Sequence, residues 1–224
     1  MLEKMDAFFE ARLDGYDAHM LDCIEGAREF YPFTAALLPQ KAEVQVLDLG
    51  CGTGLELEYY FALNPTAQIT GIDLSAGMLN TLKAKFPGKQ LQLICGSYFD
   101  VPLGNGFDAA VSVESLHHFT GEEKMKLYAK LFAALKPGGY FILTDYFAFD
   151  DENEQFWQQE LARLKQENGI CDEQFYHYDT PLTVAHEAEV LQKAGFQKVE
   201  VLCNWEATYT LKAIKQKVPW QLTK

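Results

Sequence analysis

Three glycines at alternate positions, Gly50-Cys51-Gly52-Thr53-Gly54, follow the apolar run Val44-Gln45-Val46-Leu47-Asp48-Leu49 and precede Leu55-Glu56-Leu57-Glu58-Tyr59-Tyr60-Phe61. The first run reads as a buried strand and the last has helical character, so the glycines lie on a strand-to-helix turn. There the backbone bends tightly and comes within contact distance of a bound molecule, with helix-start N–H groups aimed at it. A bulky side chain at Gly50 or Gly52 is expected to block the site. About one βα unit later Asp73 stands at the end of a second strand, where a carboxylate accepts hydrogen bonds from both ribose hydroxyls of an adenosine-containing ligand. The spacing is G-x-G-x-G rather than the G-x-G-x-x-G of dinucleotide sites, which disfavours a nicotinamide cofactor.

These residues need a layered α/β scaffold to hold them. Gln68 to Leu74 reads as the second strand, Ser75 as the N-cap of a helix through Met78 and Leu82, and Phe86-Pro87-Gly88 as its stop. Further strands are expected at Leu91 to Cys95, Phe107 to Val113 and Tyr140 to Asp145. Between the last two, Thr120-Gly121-Glu122-Glu123 has capping-box spacing and opens a helix to Leu135, and Lys136-Pro137-Gly138-Gly139 turns the chain. Phe147 to Asn168 reads as helical, Gly169 to Pro181 is rich in aromatics, and Thr183 to Ala194 is a last helix ended by Gly195. Phe196 to Asn204 and Glu206 to Ile214 are spaced to form a hairpin. Ahead of the sheet, Phe8, Phe9, Leu13, Met20, Leu21 and Ile24 mark one or two amphipathic helices, interrupted by Gly15 and Tyr31-Pro32.

With 224 residues and no Pro/Gly/Ser-rich linker, residues 1–224 are expected to form a single domain. Within it, 1–40 is a helical segment and possible lid, and 146–182 a helical, aromatic cap insertion. The net charge of −13 argues against nucleic acid, whose binding needs clustered Lys and Arg. Five scattered cysteines, with no C-x-x-C pair and no histidine at zinc-ligand spacing, argue against a metal or a disulfide. Met1 to Tyr16 lacks an apolar signal core and no later run is long enough to span a bilayer, so a cytoplasmic location without a membrane partner is expected.

The glycine turn, as Val46-Leu47-Asp48-Leu49-Gly50-Cys51-Gly52-Thr53-Gly54, resembles the first motif of the class I S-adenosylmethionine-dependent methyltransferases. The resemblance continues through Gly71-Ile72-Asp73-Leu74-Ser75, Phe107-Asp108-Ala109-Ala110-Val111-Ser112, Leu116-His117-His118-Phe119 and Leu135-Lys136-Pro137-Gly138-Gly139. It implies a Rossmann-like, seven-stranded, mostly parallel sheet with helices on both faces and the last strand antiparallel. It further implies S-adenosylmethionine as methyl donor, S-adenosylhomocysteine as product, and a small-molecule acceptor.

On matching positions, Asp48 belongs to the first motif, Gly50, Cys51 and Gly52 would line the methionine and ribose parts, and Asp73 would hold the ribose hydroxyls. Leu74 and Met78 would pack on the adenine. Many relatives carry an acidic residue in the loop after the third strand, where this chain has Ser97 followed by Tyr98. Ser112, Val113 and Glu114 would lie near the sulfonium and the substrate. Because methyl transfer is an in-line displacement on an activated carbon, holding the nucleophile in line is the main requirement. A general base is useful for a hydroxyl or ammonium acceptor, and Glu114, His117, His118 and His177 are the candidates, Glu114 and His118 foremost. Two rival readings are a non-catalytic module that binds S-adenosylmethionine or S-adenosylhomocysteine and a NAD-dependent oxidoreductase.

Overall fold

The computed structural model describes residues 2–171 and 174–217. Among them, seven strands form one sheet: β1 (Gln45–Leu49), β2 (Gln68–Asp73), β3 (Gln90–Cys95), β4 (Phe107–Val113), β5 (Leu135–Tyr146), β6 (Lys198–Trp205) and β7 (Thr208–Ile214). The order is β3-β2-β1-β4-β5-β7-β6. The pairings from β3 to β5 are parallel, and β7 runs antiparallel to both β5 and β6. The helices are α1 (Met5–Ala11), α2 (Tyr16–Cys23), α3 (Ala27–Leu37), α4 (Leu55–Leu63), α5 (Ala76–Lys85), α6 (Gly121–Ala134), α7 (Asp151–Glu167) and α8 (Val184–Lys193).

Alternation along β1 explains the layers. Val46 belongs to a core built with Phe30 of α3, Leu57 and Tyr60 of α4, and Leu82 of α5, whereas Leu47 and Leu49 join Leu127 and Leu131 of α6 and Leu191 of α8. The chain leaves β1 to one side and returns as β4 on the other, so the ends of β1, β2 and β4 meet at a switch point of strand order, where such sheets take ligands.

Local chemistry fixes the helix starts. Ser75 Oγ accepts the Met78 N–H, and Thr120 with Glu123 forms a reciprocal capping box. Thr183 caps α8 through the His186 N–H.

Two expected breaks do not occur. Pro32 lies inside α3, because the buried face of Phe30, Tyr31, Thr34 and Ala35 outweighs one lost backbone bond; the chain breaks instead at Gly26, which has φ 75°. Likewise Lys136 to Gly139 stays in β5. The pairing with β4 jumps from Leu135 to Tyr140, while the Gly138 N–H donates to Lys215 C=O at 2.8 Å and the Lys215 N–H to Gly139 C=O at 2.9 Å. The extra residues form an irregularity that the β7 side satisfies.

The two segments outside the core motifs join each other. Lys4 and Tyr176 form an antiparallel bridge, the Met5 N–H donates to Phe175 C=O, and the His177 N–H donates to Glu3 C=O. Phe8 stacks on His177 with ring centroids 3.4 Å apart.

Candidate active site

At the end of β1 the Gly50 and Cys51 N–H groups both donate to Ile72 C=O, fastening the turn to β2. Gly50, at φ 72°, has to lack a side chain, since a Cβ there would lie 2.0 Å from Ser115 Oγ. Gly52, at φ 47°, would direct a Cβ into open space. Its N–H donates to Asp73 Oδ2 at 2.8 Å, and Asp73 Oδ1 accepts the Ser75 N–H at 2.9 Å. The carboxylate is thus held by one bond to each oxygen and keeps free lone pairs. Burial raises the Asp73 pKa, and these backbone bonds oppose the rise.

Below the turn, the buried carboxyls of Asp48 and Glu56 bond to each other. Burial and then the Glu56 charge push Asp48 well above the usual carboxylate range, and burial raises Glu56 too. Asp48 Oδ2 and Glu56 Oε1 accept from no N–H or hydroxyl among the described residues, which leaves the two carboxyls to each other. A buried acidic pair beside an open glycine turn suits a cationic group.

The other sequence-selected positions divide by where their atoms are spent. The Cys51 side chain packs over Gly71, where a Cβ would come 2.8 Å from Sγ, and burial pushes its thiol well up. Ser112 is fully buried, with its hydroxyl donating to Leu49 C=O. Ser97 Oγ accepts the Phe99 N–H, and the Tyr98 hydroxyl lies 3.2 Å from Ser115 Oγ. Met78 and Val113 are buried and Leu74 is half-buried.

Beyond the end of β4, Glu114 takes a left-handed backbone (φ 49°), sparsely populated for a residue with a side chain. Its N–H donates to Thr144 C=O, and its Oε1 accepts from Thr208 Oγ1 at 3.1 Å. Leu116 to His118 then form a single 3-10 turn that sets the two imidazoles 4.0 Å apart. Asp145, at the end of β5, has Oδ1 2.5 Å from His117 Nδ1 while its Oδ2 accepts the Leu116 N–H. Asp179 arrives from the aromatic segment because the Thr180 N–H donates to His117 C=O at 2.7 Å. Its Oδ1 lies 3.0 Å from His118 Nδ1 and 3.7 Å from His117 Nε2.

The charges of these groups are set jointly. Burial and the charge of Asp145 push Glu114 up to about 7. Burial lowers His117, but Asp145 more than reverses this, to about 9. His118 is held down by burial and by His117, and His177 is lowered to about 4 by burial and by His118. Burial raises Asp179, but His118 and His117 bring it down to about 2.

Glu114, His117, His118 and Asp179 face a cleft of about 640 Å³ whose other wall is Phe9 and Tyr16 of the N-terminal segment. Burial, and then the charges of Asp73 and Glu114, push the Tyr16 hydroxyl up. Sequence reasoning selected Glu114 and the histidines but not Tyr16, Glu56, Asp145 or Asp179. Asp145 alone left a signal, an acid closing a strand.

The glycine turn and Asp73 thus stand together at the switch point of a mostly parallel sheet, where such folds take ligands. Residues 46–139 match the family described as a methyltransferase domain. The seven-stranded sheet with its flanking helices is the Rossmann-like methyltransferase fold. It is 37% identical over 105 residues to trans-aconitate 2-methyltransferase of Paracidovorax citrulli, covering 46% of this chain and 39% of that protein. It is 30% identical over 104 residues to malonyl-[acyl-carrier protein] O-methyltransferase of Priestia megaterium, covering 46% and 37%. The chain thus spans little more than a third of the length of these relatives. Human N-acetylserotonin methyltransferase, solved with S-adenosylmethionine, shares the fold with a TM-score of 0.62 at 20% identity, over 94% of this chain and 55% of that one. Among the described residues, no helix is long and apolar enough to cross a membrane.

Proposed function

We propose that this chain binds S-adenosylmethionine across the ends of β1, β2 and β4 and catalyses transfer of its methyl group to a small-molecule acceptor in the adjoining cleft. The observation that carries the reading is the Gly52 N–H bonded to Asp73 Oδ2 beside open space, with the buried carboxyls of Asp48 and Glu56 close by in the sequence. In it, Asp73 receives the ribose hydroxyls, Gly52 leaves room for the ligand backbone, and Asp48 and Glu56 receive the ammonium. When bound, the cofactor supplies an electrophilic methyl on a sulfonium. The protein then has to align the acceptor and exclude water. Phe9 and Tyr16 close the cleft from the N-terminal side, and Glu114 faces the acceptor as the group placed to take its proton. In this reading residues 1–40 act as a lid, 146–182 as a cap, and the protein works in the cytoplasm.

Isothermal calorimetry with S-adenosylmethionine, S-adenosylhomocysteine and NAD tests the proposal. Micromolar binding of the first two, lost in Asp73→Ala, is expected. Preference for NAD, or no binding by folded protein, would refute it. Turnover in an acceptor screen separates an enzyme from a binding module.

A further inference from the structure

In the wall of the acceptor cleft, one donor atom from each of His117, His118 and Asp179 lies within 4.8 Å of the other two. Two imidazoles and a carboxylate converging on one point form a donor set suited to a divalent transition metal, and three protein ligands leave a coordination position open. We propose that His117 Nε2, His118 Nδ1 and Asp179 Oδ1 bind such a cation, of the zinc class, with its open position facing the cleft.

The spacing carries the first part of the argument. Ligand atoms 2.0–2.1 Å from a tetrahedral metal lie about 3.3–3.4 Å from one another. His118 Nδ1 and His117 Nε2 lie 3.0 and 3.7 Å from Asp179 Oδ1, on either side of that value.

The surroundings carry the second part. His118 is more than nine-tenths buried, and its Nδ1 has only the Asp179 carboxylate, 3.0 Å away, as a neighbour to bind. A buried nitrogen aimed at a carboxylate oxygen is what a coordination site looks like without its ion. His117 is oriented from behind: Asp145 Oδ1 takes its Nδ1 side at 2.5 Å, which leaves Nε2 as the ligating atom. A carboxylate on the far nitrogen of a ligating histidine fixes the ring and its tautomer. The Thr180 N–H to His117 C=O bond holds Asp179 in place. Asp179 is 44% exposed at its side chain, so ions can enter from the cleft.

The metal site stands independently of the methyl-transfer reading, but its use rests on that reading. An acceptor carrying a hydroxyl or carboxylate oxygen would occupy the open position, where the cation holds it and favours its deprotonated form. Oxygen acceptors are therefore favoured over amines.

The test uses the full chain after treatment with EDTA and removal of the chelator. Zn²⁺ is titrated by calorimetry, and Co²⁺ by its visible d–d absorption, while S-adenosylmethionine is titrated separately into the metal-free protein. One equivalent of Co²⁺ with tetrahedral-type bands and no thiolate charge-transfer band is expected. Asp145→Asn is expected to weaken Zn²⁺ 10–100-fold as an outer-shell change. His118→Ala and Asp179→Asn are expected to abolish the stoichiometric site. Absence of Zn²⁺ and Co²⁺ binding by protein that still binds S-adenosylmethionine would overturn the metal site while leaving the cofactor reading intact. A thiolate band, or unchanged affinity in both His118→Ala and Asp179→Asn, would equally overturn it.

Discussion

Glu10 Oε2 of the N-terminal segment accepts a hydrogen bond from Ser75 Oγ at 2.6 Å and another from the Gly77 N–H at 3.2 Å. Ser75 follows directly on Leu74 and Asp73, so this one carboxylate ties α1 to the strand end that carries Asp73. Asp17 makes a second tie, through Thr53 Oγ1 of the glycine turn and Lys85, 2.6 Å away.

Replacing Glu10 with Ala is expected to speed S-adenosylmethionine release by about 3–10-fold, from the loss of roughly 1 kcal/mol of partly exposed hydrogen bonding. Thermal stability of the sheet should change little. Stopped-flow dissociation checks this, and an unchanged rate would mean that the segment does not retain the cofactor.

Gly50 and Gly52 should separate folding from binding. Gly52→Val keeps its surroundings clear and costs about 1–2 kcal/mol of backbone strain, so the protein should fold and lose S-adenosylmethionine binding. Gly50→Ala has to displace Ser115 and is expected to destabilise the fold itself. Calorimetry paired with thermal denaturation distinguishes the two.

The Asp48–Glu56 pair makes the ligand-free protein sensitive to pH. Its folded-state pKa is raised, so the stability it contributes is complete below the ordinary carboxylate pKa near 4 and is lost as pH rises through the raised value. Glu56→Gln should flatten that fall in a series of melting curves. Binding a cationic ammonium favours the deprotonated pair, so S-adenosylmethionine should bind with proton release. Calorimetry in two buffers of different ionisation heat would measure the number released.

Lys124 Nζ lies 2.6 Å from Glu187 Oε2, and Tyr128 donates to the same carboxylate; all three residues are buried. Glu187→Ala leaves an unpaired buried ammonium and should cost about 3–5 kcal/mol in denaturant unfolding. The double change Lys124→Met with Glu187→Leu should recover most of it. Failure to recover would mean that Tyr128, and not the ion pair, dominates the site.

The parts of the site that the sequence made legible are those encoded locally. The Ser75 and Thr120 caps act within a few residues of where they stand, and the glycines and Asp73, though bonded across 21 residues, belong to a motif of fixed spacing that is informative. His117 was visible as a titratable group after a strand, but its orientation depends on Asp145, 28 residues away, and on Asp179, held by a backbone bond from Thr180. Glu56 resembled any acid in the first turn of a helix until the fold put it against Asp48. Pro32 and Pro137 misled for the same reason: a burial gain in α3 and hydrogen bonds supplied by Lys215 are long-range terms that local propensity does not contain.

The short pairing of Glu3 to Met5 with Phe175 to His177, sealed by the stack of Phe8 on His177, joins the two segments that flank the cleft into one mechanical piece. Neither half can be exchanged for that of a relative without breaking the other's edge. New acceptor preferences in this lineage should therefore arise through matched replacement of both segments, leaving paired substitutions as their record, while the sheet between them stays free to drift on its own.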